Sequence, residues 1–456
     1  MKYIFLAIIA GLIALSFVAW AISPKPVQDG KTILYWTIDN NPTRQGQVAL
    51  FNEMHPQYDL RIVTWDPKDR LKVIVQCLAG VGPDIFCAFS TFELAAYIKS
   101  GIAWDITDEL KAMGVDIHND VWNGANPCLM YNGRLYGFPN NVAVDAIWYN
   151  KDIFDACGID YPKGPWTWEE FIKLAQKLTI KDENGRIKHF GFVFGWESVQ
   201  WYMFVRQWGG RVFSEDGTRC ELDCSETIAA IQFMQDLIYK YKIAPSPEQE
   251  AGMASVGGWE LGPAMFFNSG NAAMALGGRW WLIAMRNYKD LNEGVVECPH
   301  GPYRVYHSYG KATLINSRSP RRREALDFLK YMMTPEYNDL INKQGDAMPP
   351  MKKYCFTEGF LYNSEHPEED YNAIWRDVMQ YGIPERPSPF VDGAIAKRII
   401  KDQLDLVKIN QKSAADAMRS AADEINKEIQ KSIKQDPVLR AKYEALISKR
   451  GLQNEV

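Results

Sequence analysis

The sequence has few histidines and no large excess of one charge. Its 456 residues include 6 His, and 51 Lys plus Arg oppose 56 Asp plus Glu. A chain with nearly balanced charges has no global field to attract phosphates, so nucleic acid is not an expected partner. We interpret the local cluster of Arg318, Arg321, Arg322 and Arg323 as a solvated loop and first helical turn.

Several signature motifs of catalytic and cofactor sites are also missing. No GxSxG occurs, Gly80 and Gly82 form no GxGxxG, and no P-loop lysine, CxxC pair or metal-spaced His doublet is present. We therefore predict no enzyme activity, no cofactor and no metal. A glycoside hydrolase is the remote alternative, because it needs aromatic residues and paired carboxylates. Its candidates are Glu197 with Asp39 or Asp145.

Eight cysteines are scattered along the chain rather than arranged as a dense framework. Eight cysteines allow about 105 connectivities, so spacing cannot assign pairs. A local bridge between Cys220 and Cys224, a zinc site and simple buried thiols are the alternatives. The eight are Cys77, Cys87, Cys128, Cys157, Cys220, Cys224, Cys298 and Cys355.

The N-terminus has the pattern of an export segment. Lys2 precedes an apolar run from Ile4 to Val18, and Ala19 and Ala21 are the small residues that a signal peptidase reads. We predict a signal peptide over 1–23, cleaved near Ala21, and a periplasmic protein. Because the run to Ile22 could also cross a bilayer, an uncleaved inner-membrane anchor is the alternative. No Cys ends the segment, so lipoprotein attachment is not supported.

Apolar strands alternate with amphipathic helices after this segment. Strands are predicted at Ile33–Trp36, Leu60–Trp65 and near Ile85, with helices around Val48–Met54 and Leu71–Leu78. This βαβαβ order is typical of a doubly wound α/β lobe. Ligands bind such sheets beyond the carboxyl ends of the strands. The loops 36–41 and 89–93 are therefore expected to meet at a site.

The middle of the chain carries clear turn and capping signals. Asn132-Gly133 predicts a tight turn between extended segments. Tyr136–Phe138 and Ile147–Tyr149 are predicted to be extended on both sides of an Asn-rich bend. Thr167 and Glu170 form a capping box that begins an amphipathic helix.

These segments in this order resemble the extracellular solute-binding proteins of ABC importers, the maltose-binding-like family 1. The resemblance extends from about Thr32 to Ile433. Its further motifs are Asn52–Pro56, Gly82–Ile85, Gly101–Thr107, Gly209–Phe213, Ala273–Ala275 with Gly278–Trp280, Ala325–Glu336, Ser413–Ala417 and Ala422–Asn426.

The resemblance implies an α/β, two-lobed periplasmic-binding-protein fold of type II, in which each lobe has a mixed, mostly parallel sheet flanked by helices. A hinge joins the lobes around a cleft. The implied ranges are 31–141 plus 308–347 for the first lobe, 146–304 plus 352–433 for the second, and 434–456 for a helical tail. The implied crossings are 141–146, 305–309 and 347–351.

The function implied is that of a monomeric receptor that closes on a mono- or oligosaccharide and delivers it to the permease subunits in the inner membrane. A membrane-anchored sensor or interaction protein without import and a receptor for a non-sugar solute are the alternatives.

Aromatic side chains beside polar ones suit sugars, whose apolar C–H faces are ringed by hydroxyls. When the chain is aligned with the family it resembles, Trp280 is at the position of a stacking tryptophan, Glu197 at that of a sugar-contacting carboxylate and Asn40 at that of a contacting aspartate. Phe92-Glu93 replaces an Asp-Arg pair and Ala143 an acidic residue, which argues against maltose. The predicted ligand-binding residues are Trp36, Asp39, Asn40, Phe89, Asn141, Trp196, Glu197, Trp201, Arg279 and Trp280. Arg279 could instead make a lobe-interface ion pair.

Overall fold

The computed structural model describes residues 30–64, 70–196, 200–253 and 262–453, together with the single positions 11 and 14. The predicted export segment at 1–23 therefore lies outside the described part, apart from those two positions. Within the described ranges, no helix combines the length and the apolar character that crossing a membrane requires.

The first part of the chain forms the predicted parallel βαβαβ unit. Strand β1 (Thr32–Ile38) lies between β2 (Tyr58–Thr64) and β3 (Ile85–Ala88), and both neighbours are parallel to it. Helices α1 (Arg44–Met54) and α2 (Arg70–Leu78) connect the strands. The carboxyl ends of β1 and β3 thus point to the same edge of the sheet.

Two long strands continue this sheet into the rest of the molecule. Strand β6 (Gly137–Asn150) pairs antiparallel with β11 (Tyr306–Ile315), which in turn pairs antiparallel with β3. The later half of β6 pairs with β9 (Met274–Gly278) and β10 (Glu293–Val296). The sheet is mixed, and β6 is common to both of its halves.

The other elements surround this sheet. The short strands are β4 (Met130–Tyr131), β5 (Arg134–Leu135), β7 (Ile180–Lys181), β8 (Ile187–His189) and β12 (Gly382–Ile383). The helices are α3 (Thr91–Lys99), α4 (Thr107–Ala112), α5 (Ile117–Asp120), α6 (Lys151–Cys157), α7 (Trp168–Lys177), α8 (Gln200–Gln207), α9 (Ser225–Tyr239), α10 (Pro247–Met253), α11 (Pro263–Asn268), α12 (Leu282–Met285), α13 (Ala325–Tyr331), α14 (Pro335–Gln344), α15 (Glu358–Leu361), α16 (Asn372–Val378), α17 (Gly393–Lys408), α18 (Ala414–Gln435) and α19 (Pro437–Gln453). Short 3-10 helices span Asn126–Cys128, Arg279–Trp281, Lys352–Phe356 and Met379–Tyr381.

The local signals of the middle region have mixed outcomes. Asn132 and Gly133 both have positive φ and join β4 to β5, and the capping box of Thr167 and Glu170 begins α7, so both predictions are confirmed. The Asn-rich bend is wrong, because residues 137–150 form one continuous strand. Pairing with β11 holds this segment extended, and the Asn141 amide donates to Asp346 (3.0 Å) instead of to a turn.

Aromatic clusters form much of the core. Trp36 packs on Phe328, with ring centroids 4.8 Å apart, and Trp148 packs between Trp281 and Trp375. All eight cysteines are free thiols, so the suggested bridge between Cys220 and Cys224 is absent. Six of the eight are buried, as the buried-thiol alternative expected.

Candidate functional site

A buried network of charges lies just beyond the carboxyl end of β1. Asp39 accepts a hydrogen bond from Nε of Arg44 (2.9 Å) and another from Nζ of Lys311 (2.5 Å). Arg44 also pairs with Asp346, to which Gln47 donates at 3.0 Å. Two carboxylates and two cations therefore neutralise one another where β1 and β11 approach.

The electrostatics of this network keep Asp39 ionised. Burial opposes its charge, but the nearby positive charges of Lys311 and Arg44 outweigh burial and hold the pKa of Asp39 well below its usual range. Burial likewise opposes the charge of Arg44, and Asp346 and Asp39 raise the pKa of Arg44 above its usual value. A carboxyl group held in this state does not serve as a general acid.

Asparagines connect this network to two of the predicted crossings. Asn141, in β6, donates to a carboxylate oxygen of Asp346 (3.0 Å) and to its backbone oxygen (3.3 Å). Asn41 donates to the same carboxylate at 3.3 Å, whereas Asn40 beside it is exposed. Val142 and Met348 form an antiparallel bridge next to this point. The segments 141–146 and 347–351 thus lie side by side under the charged network.

Lys311 joins the loop after β1 to the loop after β3. Its ammonium group lies 5.0 Å from the centre of the Phe89 ring while its hydrogen bond goes to Asp39. The backbone N–H of Phe89 donates to Glu93 (2.7 Å), so Glu93 fixes the loop from within. The expected meeting of loops 36–41 and 89–93 therefore takes place through a residue of a distant strand.

Phe89 also lines a cavity of about 130 Å³. The polar groups that line it with the ring come from the segment after β3, from β11 and from the segment after β12. A larger cavity of about 320 Å³ shares the lining residues Thr91 and Glu385 with it. We call the smaller one the inner cavity and the larger one the outer cavity. The inner cavity is lined by Phe89, Ser90, Thr91, Cys128, His307, Ser308 and Glu385.

His307 lies on the floor of the inner cavity, where β6 and β11 run side by side. Its Nδ1 is 3.6 Å from a carboxylate oxygen of Asp145, and both side chains are buried. The ring of Tyr202 meets the imidazole edge-on, with centroids 6.3 Å apart. A buried imidazole and a buried carboxylate thus lie side by side where the two strands cross.

Trp280 lies at the end of β9, close to the same crossing. Its ring covers the backbone of Gly278, where an added Cβ would lie 1.5 Å from the ring. Gly278 is opposite Asp145 in the β6–β9 ladder. Trp280 is half-buried, so part of its side chain remains accessible.

Arg279 is buried, and its donors are directed to the third crossing. It donates to the side chain of Asn372 (2.8 Å) and to the backbone oxygens of Ala347 (2.6 Å) and Asn342 (3.3 Å). Burial lowers the pKa of Arg279 to about 10. These bonds attach the turn that carries Trp280 to the segment 347–351, and the suggested lobe-interface ion pair is not formed among the described residues.

The remaining predicted residues are more dispersed. Trp36 is fully buried against Phe328, and Trp196 is buried against Phe194 with ring centroids 5.7 Å apart. Trp201 is half-buried next to Tyr202. Glu197 lies outside the described residues. Of the predicted residues, Phe89 lines the inner cavity, whereas Trp280 lines neither cavity. Asp39 and Asn141 belong to the charged network, Asn40 is exposed next to Asp39, and Trp36 lies in the core.

Sequence reasoning missed four residues of this region: Lys311, His307, Ser90 and Glu385. Ser90 is the N-cap of α3, and its hydroxyl accepts from the Glu93 N–H (3.3 Å). Position 307 lies in the predicted crossing 305–309, which was the available signal for His307. Nothing local distinguishes Lys311 or Glu385, because each reaches the site only through tertiary contacts.

The fold has close counterparts among solved structures. An ABC substrate-binding protein of Listeria monocytogenes, solved in complex with cycloalternan, superposes with a TM-score of 0.75 at 22% identity, covering 88% of this chain and 99% of that one. UgpB of Mycobacterium tuberculosis, solved in complex with glycerophosphocholine, gives 0.71 at 16% identity, covering 89% and 100%. These likenesses confirm the two-lobed type II periplasmic-binding-protein fold.

The sequence comparisons then give the family. Residues 37–339 match the model of the bacterial extracellular solute-binding proteins, and the chain belongs to this family. It is similar to an uncharacterized ABC transporter extracellular-binding protein of Pyrococcus horikoshii, with 23% identity over 93% of this chain and 96% of that protein. By its family, the protein is thus a bacterial extracellular solute-binding protein, and the resemblance found in its motifs is confirmed.

Proposed function

We propose that this protein binds a carbohydrate in the cavity beside Phe89 and delivers it to the permease subunits of an importer. The observation that supports this most directly is the mixed lining of the inner cavity, in which the Phe89 ring occurs together with Ser90, Thr91, Ser308 and Glu385. A sugar offers an apolar face to such a ring and hydroxyls to the surrounding polar groups.

The size of the cavities favours a short ligand. Small-molecule sites typically occupy roughly 300–1,000 Å³. The outer cavity of about 320 Å³ is at the lower end of this range, and the inner one adds about 130 Å³. We expect a mono- or disaccharide to fill this space in the conformation described.

A non-sugar solute is the alternative to be tested, because one structural counterpart was solved with glycerophosphocholine. Purified protein spanning 24–456 is screened by thermal shift against mono-, di- and trisaccharides of glucose, xylose and arabinose, glucuronic acid, glycerophosphocholine, amino acids and polyamines. A ligand that binds only the folded state raises the melting temperature. Isothermal titration then gives the Kd of each ligand that shifts it.

Two variants connect binding to the site. Phe89→Ala removes the ring that lines the inner cavity, and Trp280→Ala removes the half-buried ring at the end of β9. We expect each variant to weaken sugar binding at least tenfold. Trp104→Ala is the matched control, because Trp104 packs against Arg322 and lines neither cavity. Shifts from glycerophosphocholine or another solute class alone would refute the carbohydrate and retain the receptor.

We further propose that the protein acts as a monomer in the periplasm, released by cleavage near Ala21 or held by the uncleaved segment. N-terminal sequencing of the mature protein from a Gram-negative host distinguishes the two forms. The lobe ranges 31–141 plus 308–347 and 146–304 plus 352–433, with the tail 434–456, remain our proposal for its domain organisation.

A further inference from the structure

Helix α19 lies beyond the part of the chain that carries the family resemblance. It follows α18 directly, and the carboxylate of Asp436 accepts from the backbone N–H groups of Val438 (2.8 Å) and Leu439 (3.2 Å). This is the bonding pattern of an N-cap, which fixes where a helix begins. The start of α19 is therefore fixed at Asp436.

One face of α19 is seated on the protein. The Tyr443 ring packs edge-on against Phe390, with centroids 5.7 Å apart, and Phe390 is fully buried. Leu439 and Leu446 pack against the core on the same face, at helical spacing from Tyr443. Val438, on another face, is 75% exposed. The contact with Phe390 ties the helix to the segment just before α17.

This seating brings Lys442 to the outer cavity. The cavity of about 320 Å³ is lined by α3 on one side and by the segment 385–393 on the other, and Lys442 lines it together with Arg386. The carboxylates of that wall have their own cations, since Glu385 is 3.7 Å from Lys397 and Asp392 is 3.9 Å from Arg70. Lys442 adds a group that can only donate hydrogen bonds.

We propose that α19 closes the outer end of the ligand cavity and that Lys442 determines specificity there, by donating to an acceptor oxygen on the terminal unit of the ligand. This rests on the proposed function and names a further part of the same site. A helix in that position also limits the length of the saccharide. A terminal unit with a carboxylate gains most from the ammonium group.

The test measures the Kd of each saccharide in the panel named above for the mature protein, residues 24–456, and for its variants. Lys442→Met keeps the length of the side chain and removes its charge, and we expect it to weaken binding of the best sugar about tenfold, as for one charge-assisted hydrogen bond. Lys442→Arg retains a donor and is expected to restore affinity to within about threefold. Val438→Ala, on the exposed face, is the control and leaves the Kd unchanged.

Tyr443→Ala tests the length limit. Loss of its ring contact with Phe390 releases α19, and we expect faster dissociation and a gain in affinity for trisaccharides relative to disaccharides. If Tyr443→Ala lowers the melting temperature too far for binding to be measured, Lys442→Met decides alone, because position 442 is exposed. Wild-type affinity in Lys442→Met overturns the proposal. If no sugar binds the wild type, the carbohydrate assignment fails, and the same variants test α19 with the solute that does bind.

Discussion

Asp39 shows at the scale of a single residue how the site is held in place. Its carboxylate is bound by Lys311 from β11 and by Arg44 from α1, so three elements meet at one side chain. Asp39 was predicted as a ligand contact from its place after β1. In the structure Asp39 holds Arg44 and Lys311 in place, which does not depend on a contact with the ligand.

The depressed pKa of Asp39 predicts a pH-dependent contribution to stability. A carboxyl group whose pKa is lower in the folded than in the unfolded state stabilises the fold above the unfolded value of about 3.9, and this contribution is lost as pH falls below it. We expect Asp39→Asn to lower the free energy of unfolding by about 1–3 kcal/mol near pH 7. The difference from wild type should stay constant from about pH 7 to 5 and shrink below about pH 4.

Urea denaturation at a series of pH values measures this difference. Asp59→Asn is the control, since Asp59 forms an exposed pair with Arg61 and such pairs contribute about 0–1 kcal/mol. A difference that grows on acidification would contradict the assignment of Asp39 as the stabilising ion.

At the scale of elements, strand β9 ends in two glycines because two indole rings occupy the space of their side chains. A Cβ on Gly277 would lie 2.3 Å from the Trp281 ring, and one on Gly278 would lie 1.5 Å from that of Trp280. The turn that follows is anchored by Arg279 to the third crossing. The end of this strand therefore sets where Trp280 lies.

Gly278→Ala should displace the Trp280 ring and weaken ligand binding by tenfold or more, because the new methyl group requires the ring to move. Titration calorimetry gives the Kd, and indole fluorescence reports the new surroundings. Gly359→Ala in α15 is the matched control, since its added Cβ would meet only an atom 4.0 Å away. An unchanged Kd in Gly278→Ala would show that the position of Trp280 does not matter for binding.

Elements with local signals could be predicted from the sequence, and those that depend on distant partners could not. The β1–β3 unit and the capping box of α7 were predictable, because hydrophobic periodicity and side-chain caps act over a few residues. The bend over Asn140 and Asn141 was predicted wrongly, because pairing with β11 overrides the local preference of asparagine for turns.

For the whole molecule, contacts between α3 and α17 join the proposed first lobe to the second. Phe92 of α3 packs on Gly393, at the start of α17, and Lys397 lies 5.2 Å from the centre of its ring. Arg70 and Asp392 add an ion pair at 3.9 Å beside them. These contacts form at the edge of the outer cavity and stabilise the conformation in which the lobes meet.

Asp392→Asn should therefore shift the balance toward an open form. The amide keeps the N-cap of α17, while the attraction to Arg70 is lost. An exposed ion pair contributes about 0–1 kcal/mol, so we expect up to about fivefold weaker ligand binding, mostly through faster dissociation. Stopped-flow kinetics and small-angle scattering measure both effects. Asp236→Asn removes an exposed pair with Lys240 elsewhere and should leave both unchanged.

The sequence by itself determined the family, the α/β class and the order of elements, because motifs and periodicities are properties of short segments read in order. The tertiary structure decided which of the predicted residues meet. It placed Trp36 in the core and directed the donors of Arg279 to the third crossing. It also brought Lys311 over the Phe89 ring, and His307, Glu385 and Lys442 to the cavities. Those residues are far apart in the chain, and their proximity depends on how β6 and β11 pair and how the last helices pack.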